Sequence, residues 1–180
     1  AQVAARRIMS FALLPMAAIS TSMTTFTSQN FGAKRFRRIQ KGVKQACLLS
    51  FVWSIIVAIL LFFTSPFLTN LISGSSDPNL IANASLYLQI SSAFYPILSF
   101  LLIYRNCLQG LGQKVLPLVS SFIELIGKIA FVVFIIPWAG YKGVILCEPL
   151  IWVAMTIQLY FSLFRHPLIK EGKAILATKV

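Results

Sequence analysis

The sequence predicts an all-α fold, a polytopic bundle of about five membrane-spanning helices. Hydrophobic residues make up 58% of the 180 residues and charged residues 11%, with a mean hydropathy of +0.83; a soluble domain carries about 25% charged residues. Apolar segments of about twenty residues, enough for a helix to cross a hydrocarbon core of about 30 Å, separate the charged clusters. Runs such as SFVWSIIVAILLFF lack the two-residue alternation of barrel strands, so we expect helical spans.

The chain divides into five predicted spans within one membrane domain, residues 1–180. They cover residues 3–26, 43–63, 82–104, 116–138 and 143–164 and are followed by a tail at 165–180. Clusters of Gly, Pro, Ser and Asn typical of turns lie between the spans, at 65–66, 73–79, 109–114 and 137–143. Because the chain starts at Ala1, already inside an apolar segment, we expect it to be a fragment.

Lys and Arg residues concentrate in the connections after the first, third and fifth spans. These connections hold twelve of the sixteen: Lys34, Arg35, Arg37, Arg38, Lys41, Lys44, Arg105, Lys114, Arg165, Lys170, Lys173 and Lys179. Such residues stay in the cytoplasm during insertion, which predicts a plasma-membrane protein with its N-terminus outside and its C-terminus inside. We expect the densest cluster, 34–44, to lie along the cytoplasmic interface, with Phe36 and Ile39 dipping into lipid.

Several function classes are disfavoured. The net charge of +12 would suit nucleic-acid binding, but there is no soluble domain, and membrane topology accounts for the charge, so we expect no nucleic-acid partner. Cys47, Cys107 and Cys147 have no CxxC spacing and no neighbouring His, which indicates neither a metal site nor disulfides. His166 stands alone as a solvated helix end. No catalytic motif is present, and we expect neither enzyme activity nor a cofactor.

Two opposite charges lie near the middle of the fourth span. Glu124 and Lys128 would each cost about 2.5 to 3.5 kcal/mol at the bilayer centre. Their i, i+4 spacing with Glu first favours a pair on one helix face, so we expect them to pair and to face protein or a water-filled cavity. A structural ion pair and a proton- or cation-sensitive part of a transport path both explain them.

A second buried acid, Glu148, lies four or five residues into the fifth span, several ångströms below the outer surface. Pro149 follows it and leaves the Ile145 carbonyl without a donor, which predicts a kink. A poorly solvated carboxyl beside a loosened turn can act as a protonation switch. A plain helix contact explains it equally well.

The third span contains Pro96, which frees the carbonyl of Ser92 and predicts a break in the helix. Gln89 and Tyr95 supply polar atoms nearby. Broken helices that line a cavity mark the binding regions of transporters, so Gln89, Tyr95 and Pro96 are candidates for a substrate cavity. Proline kinks without such a role are also common in membrane helices.

Four segments resemble motifs of one transporter family. SQNFGAKRFRRI at 28–39 resembles the Gln-Asn-x-Gly-Ala segment that closes the second helix of each lobe in multidrug and toxic compound extrusion (MATE) transporters, of the MOP flippase superfamily. YRNCLQGLGQ at 104–113 resembles that family's Arg-x-x-Leu-Gln-Gly-x-Gly. ELIGK at 124–128 resembles its Glu-Leu-x-x-Arg, with Lys for Arg, and PLIW at 149–152 its Pro-x-x-Trp.

The resemblance implies twelve helices in two six-helix lobes that export drugs and other organic cations in exchange for H+ or Na+ by alternating access. This chain resembles helices eight to twelve, the C-terminal lobe without its first helix. Its partners would be the missing N-terminal lobe, membrane lipids and small organic cations. Glu124, Lys128 and Glu148 are then candidates for ion coupling or the transport path. Where some members carry an Asp in the tenth helix, this chain has Phe94 and Tyr95, which puts coupling through that acid in doubt.

Two other functions stay open. A lipid-linked saccharide flippase of the same superfamily would show a cationic cavity rather than isolated acids. A membrane scaffold that transports nothing would leave Glu124 and Glu148 without an ionisation phenotype. Efflux measurements on variants of these two acids separate the three functions.

Overall fold

Helices account for almost all of the described chain. The computed structural model describes residues 2–73 and 78–167, and no β-strand occurs within these two ranges. The helices are α1 (Gln2–Gly32), α2 (Phe36–Ser73), α3 (Pro78–Ala93), α4 (Tyr95–Gly110), α5 (Val115–Ala130), α6 (Ile136–Ala139) and α7 (Tyr141–Arg165). A π-helical turn, Phe131–Ile135, joins α5 to α6. The predicted all-α fold is confirmed.

Four helical stretches are long and apolar enough to cross a membrane. They are Arg6–Gly32, Phe36–Leu71, Val115–Ala139 and Gly143–Arg165. A fifth span is built from two helices, Ile81–Ala93 and Tyr95–Gly110, which meet at an angle of 54°. Counting the bent pair as one, the described residues contain the five spans that the sequence predicts.

The bend between α3 and α4 lies at Phe94, two residues before the proline. Pro96 is the second residue of α4, a position where a helix has no use for an amide hydrogen. The Phe94 amide donates to the Ser91 carbonyl at 3.1 Å. The predicted break in the third span is confirmed, and the proline begins its second half.

The turn predicted at Ser65 and Pro66 is wrong. α2 runs through both residues to Ser73, with Pro66 inside the helix. Ser65 and Thr69 are fully buried, and α2 packs against α1, α3 and α4. In membrane helices such packing compensates for the hydrogen bond that a proline removes.

The basic segment forms the connection between α1 and α2 and the first turns of α2, and its location along a membrane interface stays a prediction. Phe36 begins α2, whose first turns carry the basic residues and continue directly into the second span. Ile39 is 0% exposed, and Val43 and Ala46 are buried with it, because these positions share one helix face. Phe36 is half-buried, with its ring centroid 6.2 Å from that of Phe31. The expectation that Ile39 dips into lipid is wrong.

α1, the α3–α4 pair and α7 run in one direction, whereas α2 and α5 run in the other. The end of α1 meets the end of α4, where the Thr24 hydroxyl donates to Oδ1 of Asn106 at 2.9 Å. α4 meets the end of α7 through Tyr104 and Phe164, whose ring centroids are 6.1 Å apart. The basic end of the bundle is the end that carries the connections 33–35 and 111–114 and the last turn of α7. The end of the bundle away from these connections is called the opposite end.

Close packing of α1 on α4 at the basic end depends on Gly110. A Cβ atom at Gly110 would lie 2.6 Å from the Thr24 carbonyl oxygen and 2.7 Å from the Cβ of Thr27. The Thr27 hydroxyl lies 3.6 Å from the sulfur of Cys107. Glycine therefore lets the two helices approach closely, as small residues do in membrane proteins.

α5 lies at the edge of the bundle. Within the described chain 6% of its span is buried, against 28% for the span of α1 and 33% for those of α2 and α7. It packs mainly on α7, where Gly127 faces Ile151, and Nη2 of Arg105 on α4 donates to the Ser121 hydroxyl at 2.6 Å. Most side chains of α5 are therefore left to contact lipid or other protein.

Candidate functional site

Glu148 is held by side chains from two other helices near the opposite end of the bundle. Its Oε2 accepts a hydrogen bond from the Tyr87 hydroxyl of α3 at 2.9 Å. Its Oε1 lies 3.5 Å from Nη2 of Arg6 on α1. One carboxylate on α7 therefore connects three helices.

The Glu148 carboxylate is largely removed from the surface, whereas its cationic partner is not. The side chain of Glu148 is 22% exposed and that of Arg6 is 65% exposed, while Tyr87 is buried. Glu148 is the eighth residue of α7, roughly 10 Å along the axis from the helix start. The acid lies inside the span, and Arg6 connects it to the opposite end. The kink predicted at Pro149 stays a prediction, since α7 continues through that residue.

A second tyrosine lies close to this cluster. Tyr95 begins α4, is fully buried and belongs to the same core cluster as Tyr87. Among the described residues its hydroxyl has no hydrogen-bond partner. Leaving a buried hydroxyl unpaired costs about 1 to 3 kcal/mol, so this group is suited to bond a buried water molecule.

Glu124 and Lys128 form the ion pair that their spacing predicts. Nζ of Lys128 donates to Oε1 of Glu124 at 2.7 Å. The side chains are 46% exposed for Lys128 and 36% for Glu124, so the described chain does not enclose them, and a location against protein or a water-filled cavity stays a prediction. Glu124 and Lys128 belong to α5, which packs on α7, the helix that carries Glu148.

The three candidates for a substrate cavity are not brought together. Nε2 of Gln89 donates to the Phe62 carbonyl at 3.2 Å, and Gln89 lines an apolar cleft of about 230 Å³ with residues of α2. Tyr95 is in the core, and Pro96 is half-buried at the start of α4. Gln89 therefore faces α2, whereas contact of Tyr95 or Pro96 with a substrate stays a prediction.

The basic residues of the segment 34–44 are all exposed at the basic end. They are Lys34, Arg35, Arg37, Arg38, Lys41 and Lys44. Lys34 has a φ of 54° in the turn between α1 and α2, a left-handed value that is uncommon outside glycine. Arg35, Arg38 and Lys41 line a cavity between α1 and α2, which the sequence alone does not reveal.

The lone histidine and the cysteines form no further site in the described part of the chain. Cys47, Cys107 and Cys147 are free thiols, and no three His, Cys, Asp or Glu side chains within 2–73 and 78–167 are grouped to hold a metal ion. His166 is half-buried rather than fully solvated, and this burial lowers the pKa of its imidazole.

Arg6 and Tyr87 are the site residues that sequence reasoning misses. A buried acid needs a hydrogen-bond donor and a cation, so the sequence does imply that Glu148 has partners. Tyr87 lies 61 positions away along the chain, and only the packing of α3 and α1 on α7 identifies the two residues.

A bundle of apolar spans, one of them broken, with a carboxylate bonded inside it, is the architecture of a polytopic membrane transporter. The family model described as MatE matches residues 1–134, about three quarters of the chain. The chain therefore belongs to the MatE family, and the family that its four motifs resemble is confirmed.

A solved structure agrees with this assignment. The fold matches, with a TM-score of 0.73 and 15% identity, a protein described as the inward-facing conformation of a multidrug resistance MATE family transporter of the MOP superfamily. The match covers 97% of this chain and 38% of that protein. It shows the fold, a MATE-type arrangement of helices.

Two curated proteins are similar in sequence. The FAD transporter of Shewanella oneidensis is 27% identical over 167 residues, 88% of this chain, and Protein DETOXIFICATION 18 of Arabidopsis thaliana is 30% identical over 128 residues, 69% of this chain. The chain spans 35% and 26% of the lengths of these relatives. The assignment to helices eight to twelve stays a prediction.

Proposed function

We propose that this chain is part of a secondary active antiporter that exports drugs or other organic cations in exchange for H+ or Na+ by alternating access. The observation that carries the proposal is the Glu148 carboxylate, which α1, α3 and α7 share inside the bundle. Membership of the MatE family supports transport across a membrane. We assign the chain to the C-terminal lobe, against an N-terminal lobe of the same protein.

Protonation of Glu148 changes its two contacts differently. The ionised carboxylate accepts a hydrogen bond from Tyr87 and attracts Arg6. The neutral acid can still bond to Tyr87, because a protonated carboxyl both donates and accepts, but it no longer attracts a cation. Proton binding therefore loosens α1 from α7 and leaves the contact with α3, which couples the proton to helix packing.

The pair of Glu124 and Lys128 supplies a second carboxylate on α5, the helix that packs on α7. Both acids are neutralised by basic side chains of the protein, Arg6 and Lys128. An organic cation can replace either basic side chain at its carboxylate, because it carries the same charge. The exported cation and H+ then compete for the same acids, as exchange transport requires.

Efflux from proteoliposomes that contain the full-length protein tests this proposal. Glu148→Gln keeps the size of the side chain and removes its charge. We expect it to lower dye efflux driven by a pH gradient at least about tenfold and to remove its pH dependence, and Glu124→Gln to lower it less. Full pH-dependent efflux in both variants would refute the site, and replacing the pH gradient with a Na+ gradient identifies the coupling ion.

A second candidate function is transport of an anionic substrate. The relative from Shewanella oneidensis is described as a FAD transporter, and the cavity lined by Arg35, Arg38 and Lys41 supports a flippase for lipid-linked saccharides, for which we expect a cationic cavity. If the wild-type protein exports no organic cation but moves FAD or such a lipid, and Glu148→Gln does not affect this, the second candidate is favoured. A scaffold would move none of them.

We also propose that the chain lies in the plasma membrane, with its basic end facing the cytoplasm and its N-terminus outside the cell. Nine of the twelve predicted cytoplasmic Lys and Arg residues lie at the basic end. The other three, Lys170, Lys173 and Lys179, lie outside the described residues. Arg6 lies at the opposite end, where its positive charge is shared with Glu148.

A further inference from the structure

A cavity of about 540 Å³ opens between α1 and α2 at the basic end. Its wall is formed by the last two turns of α1, the connection that follows and the first turns of α2. The lining residues that carry a charge or a polar amide are Gln29, Asn30, Arg35, Arg38, Lys41 and Gln45. Three cations and three amides therefore surround one space, which favours an anionic occupant.

Among residues 2–73 and 78–167, no acidic side chain forms an ion pair with the basic residues of this cavity. The sequence has no Asp or Glu before Asp77, and the ion pairs within the described residues are those of Arg6 with Glu148 and of Lys128 with Glu124. α2 also begins here, and the first amides of a helix have no intrahelical acceptor, which adds to the positive potential. Within the described part of the chain nothing neutralises Arg35, Arg38 and Lys41, so their charge is available to a bound anion.

A second cleft, of about 360 Å³, continues from the cavity towards the middle of the bundle. Phe26, Gly42 and Gln45 line both spaces, so the two are contiguous. The remaining wall of the second cleft is mostly apolar. It is formed by Ile19, Ser22 and Met23 of α1 and by Ala46 and Leu49 of α2. From Ile19 to Ala33 the two spaces follow about 20 Å of α1, at 1.5 Å per residue.

We propose that these two spaces form a binding site for one anionic glycerophospholipid from the leaflet at the basic end. The phosphate binds among Arg35, Arg38 and Lys41, and an acyl chain follows the apolar cleft between α1 and α2. Basic pockets between membrane helices on the cytoplasmic side are suited to anionic headgroups. The cleft also requires an acyl chain in a fixed position. A soluble anion has no acyl chain, and a diffuse layer of headgroups does not place one there.

The chain itself provides a matched control for charge. Arg35, Arg38 and Lys41 line the cavity, whereas Lys34, Arg37 and Lys44 belong to the same segment, are also exposed and do not line it. The variants R35Q/R38Q/K41Q and K34Q/R37Q/K44Q each lose three positive charges. General attraction to an anionic membrane would weaken equally in both variants, whereas binding at a defined site would weaken only in the first.

The test uses the full-length protein, purified in detergent and freed of lipid. Phosphatidylglycerol is titrated, and binding is followed by native mass spectrometry and by the melting temperature, with phosphatidylcholine and inorganic phosphate for comparison. We expect phosphatidylglycerol to raise the melting temperature and R35Q/R38Q/K41Q to weaken its binding at least about tenfold. K34Q/R37Q/K44Q should change the affinity less than about twofold.

A second pair of variants tests the acyl cleft without changing charge. Ser22 is exposed and lines the cleft, whereas Ser28 is exposed two turns further along α1 and lines neither space. Ser22→Phe should weaken phosphatidylglycerol binding at least about fivefold, and Ser28→Phe should leave it unchanged. Because both positions are on the surface, this arm stands even where the triple variant fails to fold.

Three results would overturn the lipid site. The first is equal weakening by the two triple variants. The second is stabilisation by inorganic phosphate or FAD that matches that of phosphatidylglycerol and depends on the same three cations. The third is no preference for phosphatidylglycerol in the full-length protein, as when another segment of that protein covers the cleft. Glu148→Gln should leave lipid affinity unchanged, so failure of the transport proposal is read separately.

Discussion

Charged side chains are neutralised in different ways at the two ends of the bundle. At the opposite end the carboxylate of Glu148 is bonded to Tyr87 and neutralised by Arg6, all within the protein. At the basic end six cations crowd into eleven positions, with no acid in the first 76 residues. A charge inside a span must find its partner in the protein, because lipid offers none. A charge at the membrane surface can take its partner from lipid headgroups and solvent.

This difference separates two roles of charge. For the charges that the protein itself neutralises, we propose a response to protonation that couples to transport. Charges that the described residues leave without a counterion can be neutralised by the membrane, and we propose that they serve orientation and lipid binding. The cost of unpairing is therefore expected to be high at Glu148 and low at any one cation of the basic end.

The largest effect is expected from reversing charge at the basic end. Replacing Arg35, Arg37 and Arg38 with Glu should disturb insertion, because the connection after the first span then loses its net positive charge. Single cysteines at Gln113 and Trp138, in a background without the native thiols, report the two sides by labelling with an impermeant reagent. Substitution of the same three residues by Gln is the control and should disturb topology less. Unchanged labelling in the Glu variant would contradict the role assigned to the segment.

An intermediate effect is expected from Gly110, which stabilises the basic end by packing rather than by charge. Gly110→Ala places a Cβ atom 2.6 Å from a backbone carbonyl oxygen of α1, and forcing the helices apart should cost about 1 to 3 kcal/mol. Melting temperature in detergent measures this. Gly32→Ala, whose Cβ meets nothing within 4 Å, is the matched control. A similar melting temperature for the two variants would show that α1 and α4 do not need this contact.

The smallest effect is expected from the half-exposed pair of Glu124 and Lys128. Glu124→Gln should change stability in detergent by about 0.5 kcal/mol or less, as is usual for exposed i, i+4 pairs. Lys128→Met in the same assay, together with the double variant, isolates the pairwise contribution. A loss of several kcal/mol would mean that the pair is enclosed in the full-length protein, and it would then join Glu148 among the protected charges.

Features that depend on local chemistry follow from the sequence. Long apolar segments predict the spans, Pro96 predicts the broken helix, and the spacing of Glu124 and Lys128 predicts their pairing at 2.7 Å. Pro66 misleads, because packing around α2 outweighs the local preference of proline for a helix end.

Features that depend on packing between helices do not follow from the sequence. The burial of Ile39 depends on which face of α2 meets the core. Arg6 and Tyr87 become partners of Glu148 only when α1 and α3 pack on α7. The cavity among Arg35, Arg38 and Lys41 likewise exists only between two packed helices.

The 54° bend at Phe94 has a consequence for how the third span fits its surroundings. A straight rod of the thirty residues from Ile81 to Gly110 would be about 45 Å tall at 1.5 Å per residue, about half as tall again as a hydrocarbon layer of roughly 30 Å. The bend tilts part of the span, so that the additional length fits within the hydrocarbon layer. It also divides the span into α3, whose Tyr87 bonds to Glu148, and α4, which packs closely on α1 at Gly110, so the two halves of one span contact different parts of the bundle.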